Sequence, residues 1–397
     1  MEASDVTFHF GKEMKKRRLA KGWSKEEFAE LYAKALGKPE PLNVKAIEAL
    51  ERSEVGPVSP NRREIIAFLL DMPLAGMLLN ETSIFVPNIQ TRKRLDIDES
   101  MEALKKYWEQ HLKSTSAHLL DEIDDRIIDI EKEIPYAINM QDRRVLQEIL
   151  YKYHIVISCI LDGEYEHDKA ISHLTKAIVL SRKLKDETLE SAALYRLGNI
   201  YLVAGRIDNA TTTYSQALHL ARDTQVNGAL LLKRGLADSV LAGRTKENRD
   251  RLNAQVVQTI ENGGEIAKQK FDYDEHFLKL NKERYHLDKA AALINIGYYQ
   301  EAINEIFAIR QESNSECRNA YSTMLLGKAY FGLNNYTLAA SMALDSLPVF
   351  KRIHSKVNVY RIARLYRELK ESPAANKVEV AELGLELWKY DPKLVRR

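Results

Sequence analysis

The feature that most constrains this chain is a recurring pattern of small and aromatic residues in its second half. Across residues 191–224 it runs Leu194, Leu197, Gly198, Tyr201, Ala210, Tyr214 and Ala217. Residues 320–353 repeat it as Leu326, Gly327, Tyr330, Ala339 and Ala343. Fainter copies stand at 151–184 (Leu161, Ala170, Leu174, Ala177) and 283–316 (Leu293, Ala302, Ile306). A period near 34 residues is the signature of stacked helical hairpins, because one hairpin cannot bury its apolar face alone. Residues 228–262 keep a helical pattern but almost none of the diagnostic residues. Segments 357–371 and 374–388 read as a last pair that caps the stack. Seventeen glycines and ten prolines in 397 residues are few, which favours long helices over a turn-rich β fold.

At nearly every diagnostic position this spacing resembles the tetratricopeptide repeat. The resemblance implies that the first helix of each hairpin lines a concave surface. The positions read as facing it are Tyr195, Asn199 and Leu202 in the clear copy, and Tyr321, Met324, Lys328 and Phe331 in the second. Weaker copies add Lys152, Ile155, Arg284 and Leu287. An Asn amide pairs with the main chain of an extended peptide, Lys and Arg hold carboxylates, and aromatic rings pocket apolar side chains. That chemistry suits a short peptide.

The N-terminal region is different in character. Residues 11–25 hold seven Lys or Arg against one acid, Glu13, whereas residues 96–133 hold twelve Asp or Glu against five Lys or Arg. The overall charge of +2 hides this asymmetry. A basic head beside an acidic neck suits a protein that offers only its head to phosphates. A first helix is expected over about 8–20, with Phe10, Met14 and Leu19 as its apolar stripe and Gly22 as its stop. Ser24 and Glu27 have the spacing of a capping box and open a second helix running to about Leu36. Asn43 caps a third helix with Ile47 and Leu50 inward. A fourth helix follows Pro60, with Ile65, Ile66, Phe68, Leu69 and Leu70 as its core face, and Pro73 closes it. The expected domains are a helix-turn-helix head at 8–80, a linker at 81–97, acidic connecting helices at 98–134 and a repeat body at 145–397.

The head resembles the Cro/repressor-like helix-turn-helix domain of the xenobiotic-response-element family. Ser24-Lys25-Glu26-Glu27-Phe28-Ala29 stands where that family has its supporting-helix motif, and Ile47 and Glu51 match the recognition helix. The sequence departs from the family in an insertion, Gly37-Lys38-Pro39-Glu40-Pro41, which lengthens the turn. With the third helix in a major groove, Val44, Lys45, Glu48 and Arg52 point outward. There Lys45 would donate to guanine, Glu48 would accept from cytosine and Val44 would touch a thymine methyl. Lys15, Lys16, Arg17, Arg18 and Lys25 are placed for phosphates, which position without specifying.

Head and body together resemble the Gram-positive quorum-sensing regulators of the Rap/Rgg/NprR/PlcR/PrgX type. That resemblance implies an all-α chain, a helix-turn-helix followed by a right-handed α-solenoid. It also implies a homodimer on double-stranded DNA and a short signalling peptide as ligand. The alternatives are control by a protein partner or a non-peptide ligand, and a repeat scaffold with a weak DNA-binding head.

Other classes find little support. There is no phosphate-binding glycine loop, no H-E-x-x-H and no paired C-x-x-C, so no catalytic residue, metal ligand or cofactor is expected. The carboxylates Asp121, Glu122, Asp124 and Asp125 read as a solvated helix face. Cys159 and Cys317 lie far apart in apolar helical patterns and read as buried free thiols of a reducing cytoplasm. No basic start with an apolar stretch marks a secretory signal, and no apolar run approaches the roughly 18 residues that span a bilayer.

Overall fold

A computed structural model describes residues 9–36, 40–54, 56–57, 60–72, 95–113, 117–137, 139–310 and 315–395. Expectations that involve residue 8, Gly37 to Pro39, Pro73, the end of the head at 80 or residues 81–94 of the linker lie outside the described residues. Among the described residues every regular element is a helix. The chain divides into two compact units, one ending at Arg94 and one beginning at Leu95.

The first unit contains α1 (Phe10–Ala20), α2 (Lys25–Ala35), α3 (Val44–Arg52) and α4 (Pro60–Leu70). The starts of α2 and α3 have local causes. The Ser24 hydroxyl accepts from the Glu27 N–H while the Glu27 carboxylate accepts from the Ser24 N–H, a complete capping box. The Asn43 side chain accepts from the Lys45 N–H at 2.9 Å. Gly11 is required where α1 crosses α3: a Cβ there would lie 2.3 Å from the Glu51 carbonyl oxygen. The core is Phe10, Met14, Phe28, Ala29, Tyr32, Ile47, Ile66 and Leu70.

Two apolar residues expected in that core are outside it. Leu19 is 58% exposed, because the inward stripe of α1 is Phe10, Met14 and Arg18, spaced four apart. Phe68 is 82% exposed: residues 65–70 are all apolar, and one helix cannot turn all of them inward.

The second unit opens with α5 (Ile97–Lys113) and α6 (Leu120–Glu133), separated by a short 3₁₀ turn at Ala117–Leu119. The acidic segment is therefore two helices, and both pack on the first hairpin of the body. Six hairpins follow: α7 (Met140–Gly163) with α8 (His167–Leu184), α9 (Glu187–Val203) with α10 (Ile207–Leu220), and α11 (Thr224–Arg244) with α12 (Arg249–Ala267). Then come α13 (Lys282–Ile296) with α14 (Tyr299–Arg310), α15 (Glu316–Gly332) with α16 (Tyr336–Arg352), and α17 (Lys356–Lys370) with α18 (Val378–Tyr390). This is a tetratricopeptide-like α-solenoid, and the diagnostic-poor stretch 228–262 supplies a full hairpin. Asn139, Asp186, Asp223, Asn281 and Asn335 cap helix starts along it with their side chains.

Hairpin geometry explains the repeated small residues. At Gly198 a Cβ would stand 2.4 Å from the Tyr214 ring, so α9 and α10 close only over a glycine. Ala170, Ala210, Ala302 and Ala339 are fully buried at the matching position of the second helix. The stack also winds far enough for its last hairpin to meet its first. Lys356 pairs with Glu164 at 2.6 Å, and Tyr360 stacks on Tyr165 with ring centres 4.4 Å apart. Of the two free thiols, Cys159 is half-buried and Cys317 is exposed, so Cys317 is not the buried thiol its apolar surroundings in sequence suggested. No helix among the described residues is long and apolar enough to cross a membrane.

Candidate functional site

On the head, α3 presents Lys45, Ala46, Ala49 and Arg52 to solvent, while Ile47 is fully buried and Val44 is half-buried. Lys45 carries no ion pair among the described residues. Arg52 donates from Nε to the Glu48 carbonyl at 3.2 Å and is otherwise exposed. The Glu48 carboxylate is engaged by Lys25 at 2.7 Å, and the hydrogen bond and charge of Lys25 hold it below the usual carboxylate range. Lys25 and Glu48 thus tie α2 to α3 and are not both free for DNA.

The basic run on α1 splits into two kinds of residue. Lys15 and Lys16 are exposed, with Lys16 only 3.9 Å from Glu13. Arg17 is half-buried, pairs with Glu13 at 2.7 Å and donates to the Asp71 carbonyl. Arg18 does not belong to a phosphate-binding face. It is 3% exposed, its Nε meets the Glu51 carboxylate at 2.7 Å and its Nη1 donates to the Trp23 carbonyl at 2.5 Å. Helical phase is the reason: four residues after Met14, position 18 faces the core, and only a buried acid makes an arginine acceptable there. Glu51 from α3 is that acid.

In the body, the first helices of the hairpins form an inner face, and several candidate residues sit differently on it than the repeat phase implied. Asn199 turns toward its own hairpin, where its Oδ1 accepts from the Tyr214 hydroxyl at 2.8 Å. Met324 is fully buried between helices. Tyr195 is 2% exposed, and its hydroxyl accepts from Arg284. Tyr321 is half-buried beneath the Arg361 guanidinium, 5.4 Å from its ring centre. The cavities along the inner face are lined from α9 by Leu189, Ala192, Arg196, Leu202 and Val203. The hairpin contact itself is Gly198 against the Tyr214 ring, and Asn199 is drawn to it through the Tyr214 hydroxyl.

Leu202, Lys328 and Phe331 do meet at one place. They line an open cavity of about 420 Å³ together with Arg244, Asn295, Arg364 and Glu368. Burial, helped by the positive charge of Arg361, lowers the Lys328 ammonium to about 8. Next to it along the inner face is a buried charge cluster. Lys233 meets Asp288 at 2.7 Å, and Arg284 approaches the same carboxylate at 3.4 Å. Burial raises the Asp288 carboxyl, but Lys233 and Arg284 outweigh it and hold it below its ordinary range.

The other end of the inner face is filled. Trp108 of α5 stacks on Phe277, from the segment between α12 and α13, with ring centres 4.5 Å apart. Arg196 lies 5.2 Å over the Trp108 ring and donates to the carbonyls of His276 and Phe277 at 2.8 and 2.9 Å. Trp108, Arg196, Phe277, Lys233 and Asp288 were not singled out in the sequence. The signal there is that Arg196, Lys233 and Asp288 are charged residues inside first helices of hairpins, Arg196 in the clearest repeat. No cluster of three or more His, Cys, Asp or Glu placed to hold a metal occurs among the described residues.

No family model and no curated protein matches the chain. Among solved structures, the apo form of RapI overlaps 75% of this chain and 76% of its own, at 14% identity and a TM-score of 0.41. The TPR2AB domain of yeast Sti1 in its pHSP90 complex overlaps 69% of this chain and 98% of its own, at 16% identity and a TM-score of 0.27. PlcR of Bacillus thuringiensis, in complex with the peptide PapR7 and DNA, overlaps 98% of this chain and 100% of its own, at 13% identity and a TM-score of 0.32. Likeness at this level assigns no role to any residue of this chain.

Proposed function

We propose that this chain is a sequence-specific DNA-binding transcriptional regulator of the xenobiotic-response-element type, controlled by a short peptide held in its repeat body. The observation that carries the reading is the state of α3. Ile47 and Glu51 anchor it from within, while Lys45 and Arg52 stand exposed on its outer face, and Lys15 and Lys16 of α1 are exposed as well. A helix locked on one side and polar on the other is what reading base edges in a major groove requires. In this reading Lys45 and Arg52 contact bases, Lys15 and Lys16 contact phosphates, and a homodimer presents two heads to paired half-sites. Coupling to the ligand runs through α5. It begins two residues after Leu95 and carries Trp108 on the inner face, so a ligand that binds against Trp108 bears on the helix that follows the head.

The test is selection from a random DNA library by the purified protein, with Lys45→Ala and Arg52→Ala as controls. A palindrome recovered by the wild type and lost by both variants is the expected result. Weak binding that ignores sequence and is unchanged in the variants would overturn the assignment of α3 as a reading helix.

A further inference from the structure

The segment joining α12 to α13, residues 268–281, does more than connect two helices. It enters the inner face of the first hairpins and is gripped there by its main chain. Two guanidiniums, from Arg196 and Arg284, donate to three consecutive carbonyls, those of His276, Phe277 and Leu278. Phe277 supplies an aromatic anchor on Trp108, and Lys152 stands 3.9 Å from the Glu275 carboxylate. What stays open beside Phe277 is a void of about 20 Å³ between α7 and α9, room for roughly one water.

The backbone of this segment is held in an uncommon state. Phe277 and Lys279 both have φ near +50°, and neither is glycine. Left-handed geometry is unfavourable for residues with a Cβ and persists where surrounding contacts impose it. Here Asp274 imposes it from within, accepting from the N–H groups of Leu278 and Lys279 at 2.8 and 2.7 Å, and the arginines impose it from the groove. Toward the N-terminus the hold loosens: Tyr273 is 76% exposed and Asp272 and Glu275 are exposed. Main-chain carbonyls read by cationic donors, one aromatic pocket and one acid near a lysine are the means by which a groove holds a peptide.

We infer that residues 272–278 are a built-in occupant of the peptide groove. The ligand of this end of the groove is a short peptide with an acidic residue two positions before an aromatic one, and it competes with the chain's own segment for Trp108, Arg196 and Arg284. The inference rests on the reading of the body as a peptide sensor and adds the ligand's chemistry and the competitor it must displace. An occupied groove lowers apparent affinity by the fraction of molecules in which it is open, and a strained occupant is one that a relaxed peptide can replace.

The experiment uses the full chain and a fluorescein-labelled peptide copying residues 271–280, read by anisotropy. Phe277→Ala removes the anchor of the occupant, and Asp274→Ala loosens it without touching the groove. Thermal melts check that both remain folded. Both variants are expected to bind the peptide at least tenfold more tightly than the wild type. Adding Arg196→Ala or Trp108→Ala to Phe277→Ala abolishes that binding, and so does replacing the peptide's own phenylalanine with alanine. Capture by the opened groove with no change in DNA affinity supports the occupant and refutes only its coupling to the head. Two folded variants that bind the peptide no better than the wild type overturn the inference, whatever the head does with DNA.

Discussion

Gly198→Ala adds one methyl group to the clearest hairpin, and its cost follows from the geometry. The new Cβ would lie 2.4, 2.7 and 2.8 Å from three atoms of the Tyr214 ring. Ordinary carbon contact needs the ring to retreat by about 1 Å. Tyr214 has nowhere to go: it is fully buried, and its hydroxyl donates to Asn199 at 2.8 Å. Overpacking a filled core costs about 1–3 kcal/mol, and losing the hydrogen bond adds about 1 kcal/mol. Alanine's better helix propensity returns about 1 kcal/mol. The net expectation is a loss of about 1–3 kcal/mol, or a fall in the body's melting temperature of about 2–4 °C per kcal/mol. The control is Gly163→Ala at the end of α7, where a Cβ meets nothing within 4 Å. That change is expected to be neutral or stabilising by about 0.5 kcal/mol. Urea denaturation followed by circular dichroism measures both. Tyr214→Leu removes the clash, so the double variant Gly198→Ala/Tyr214→Leu should be more stable than the sum of the two single losses by about 1 kcal/mol. A Gly198→Ala protein as stable as the wild type, or a strictly additive double variant, would refute the packing argument.

Three further expectations separate structure from function. Glu51→Gln strands the buried Arg18 guanidinium and should cost the head about 3–5 kcal/mol, whereas Lys15→Ala on the exposed face of α1 should change stability by less than about 0.5 kcal/mol. Lys15→Ala should instead weaken DNA binding evenly across sequences and reduce the salt slope by about 1, and an unchanged slope excludes it from the phosphate contacts. The body should also lose stability in acid. His154 and His173 face each other Nδ1 to Nδ1 at 3.0 Å, and burial, with His173 and Lys176 nearby, lowers the His154 imidazole to about 3. Its stabilising contribution is complete above the unfolded value near 6.5 and is lost as pH falls from there toward the folded value, about 2 kcal/mol by pH 5. His154→Gln should flatten that part of the urea midpoint's pH dependence, and identical slopes in variant and wild type would rule the pair out as its source.

Where sequence and structure agree, the determinant is local. The capping box of Ser24 and Glu27, the Asn43 cap and the Gly198–Ala210 spacing each encode contacts within a few residues or one hairpin, and such contacts leave a readable trace. Arg18 shows where that stops. In a run of Lys15, Lys16, Arg17 and Arg18 every side chain carries the same charge, and the four-residue phase from Phe10 and Met14 that turns Arg18 inward competes with the apolar Leu19 beside it. The burial of Arg18 depends on Glu51, thirty-three positions later, and becomes visible only once α1 and α3 are packed. Leu19 and Phe68 are the converse, apolar residues displaced to the surface because a neighbour already holds the inward position of the helix.

The ligand groove adds a more general difficulty. A repeat pattern predicts which helix lines the inner face, but it treats that face as empty. Here two elements outside the repeat occupy it: α5, which contributes Trp108, and the connection 268–281, which contributes Phe277. Neither carries a diagnostic residue, since a groove constrains its occupant through main-chain carbonyls and one ring, which almost any segment can offer. The lining is constrained more tightly. Arg196 must reach two carbonyls and a Trp ring together, and Arg284 must reach a third carbonyl, Tyr195 and Asp288. In a repeat solenoid the groove is therefore better sought through charged residues inside the first helices than through the outward positions of an idealised repeat. By that criterion Arg196 and Arg284 mark the filled end of this groove, and Lys328 marks the open one.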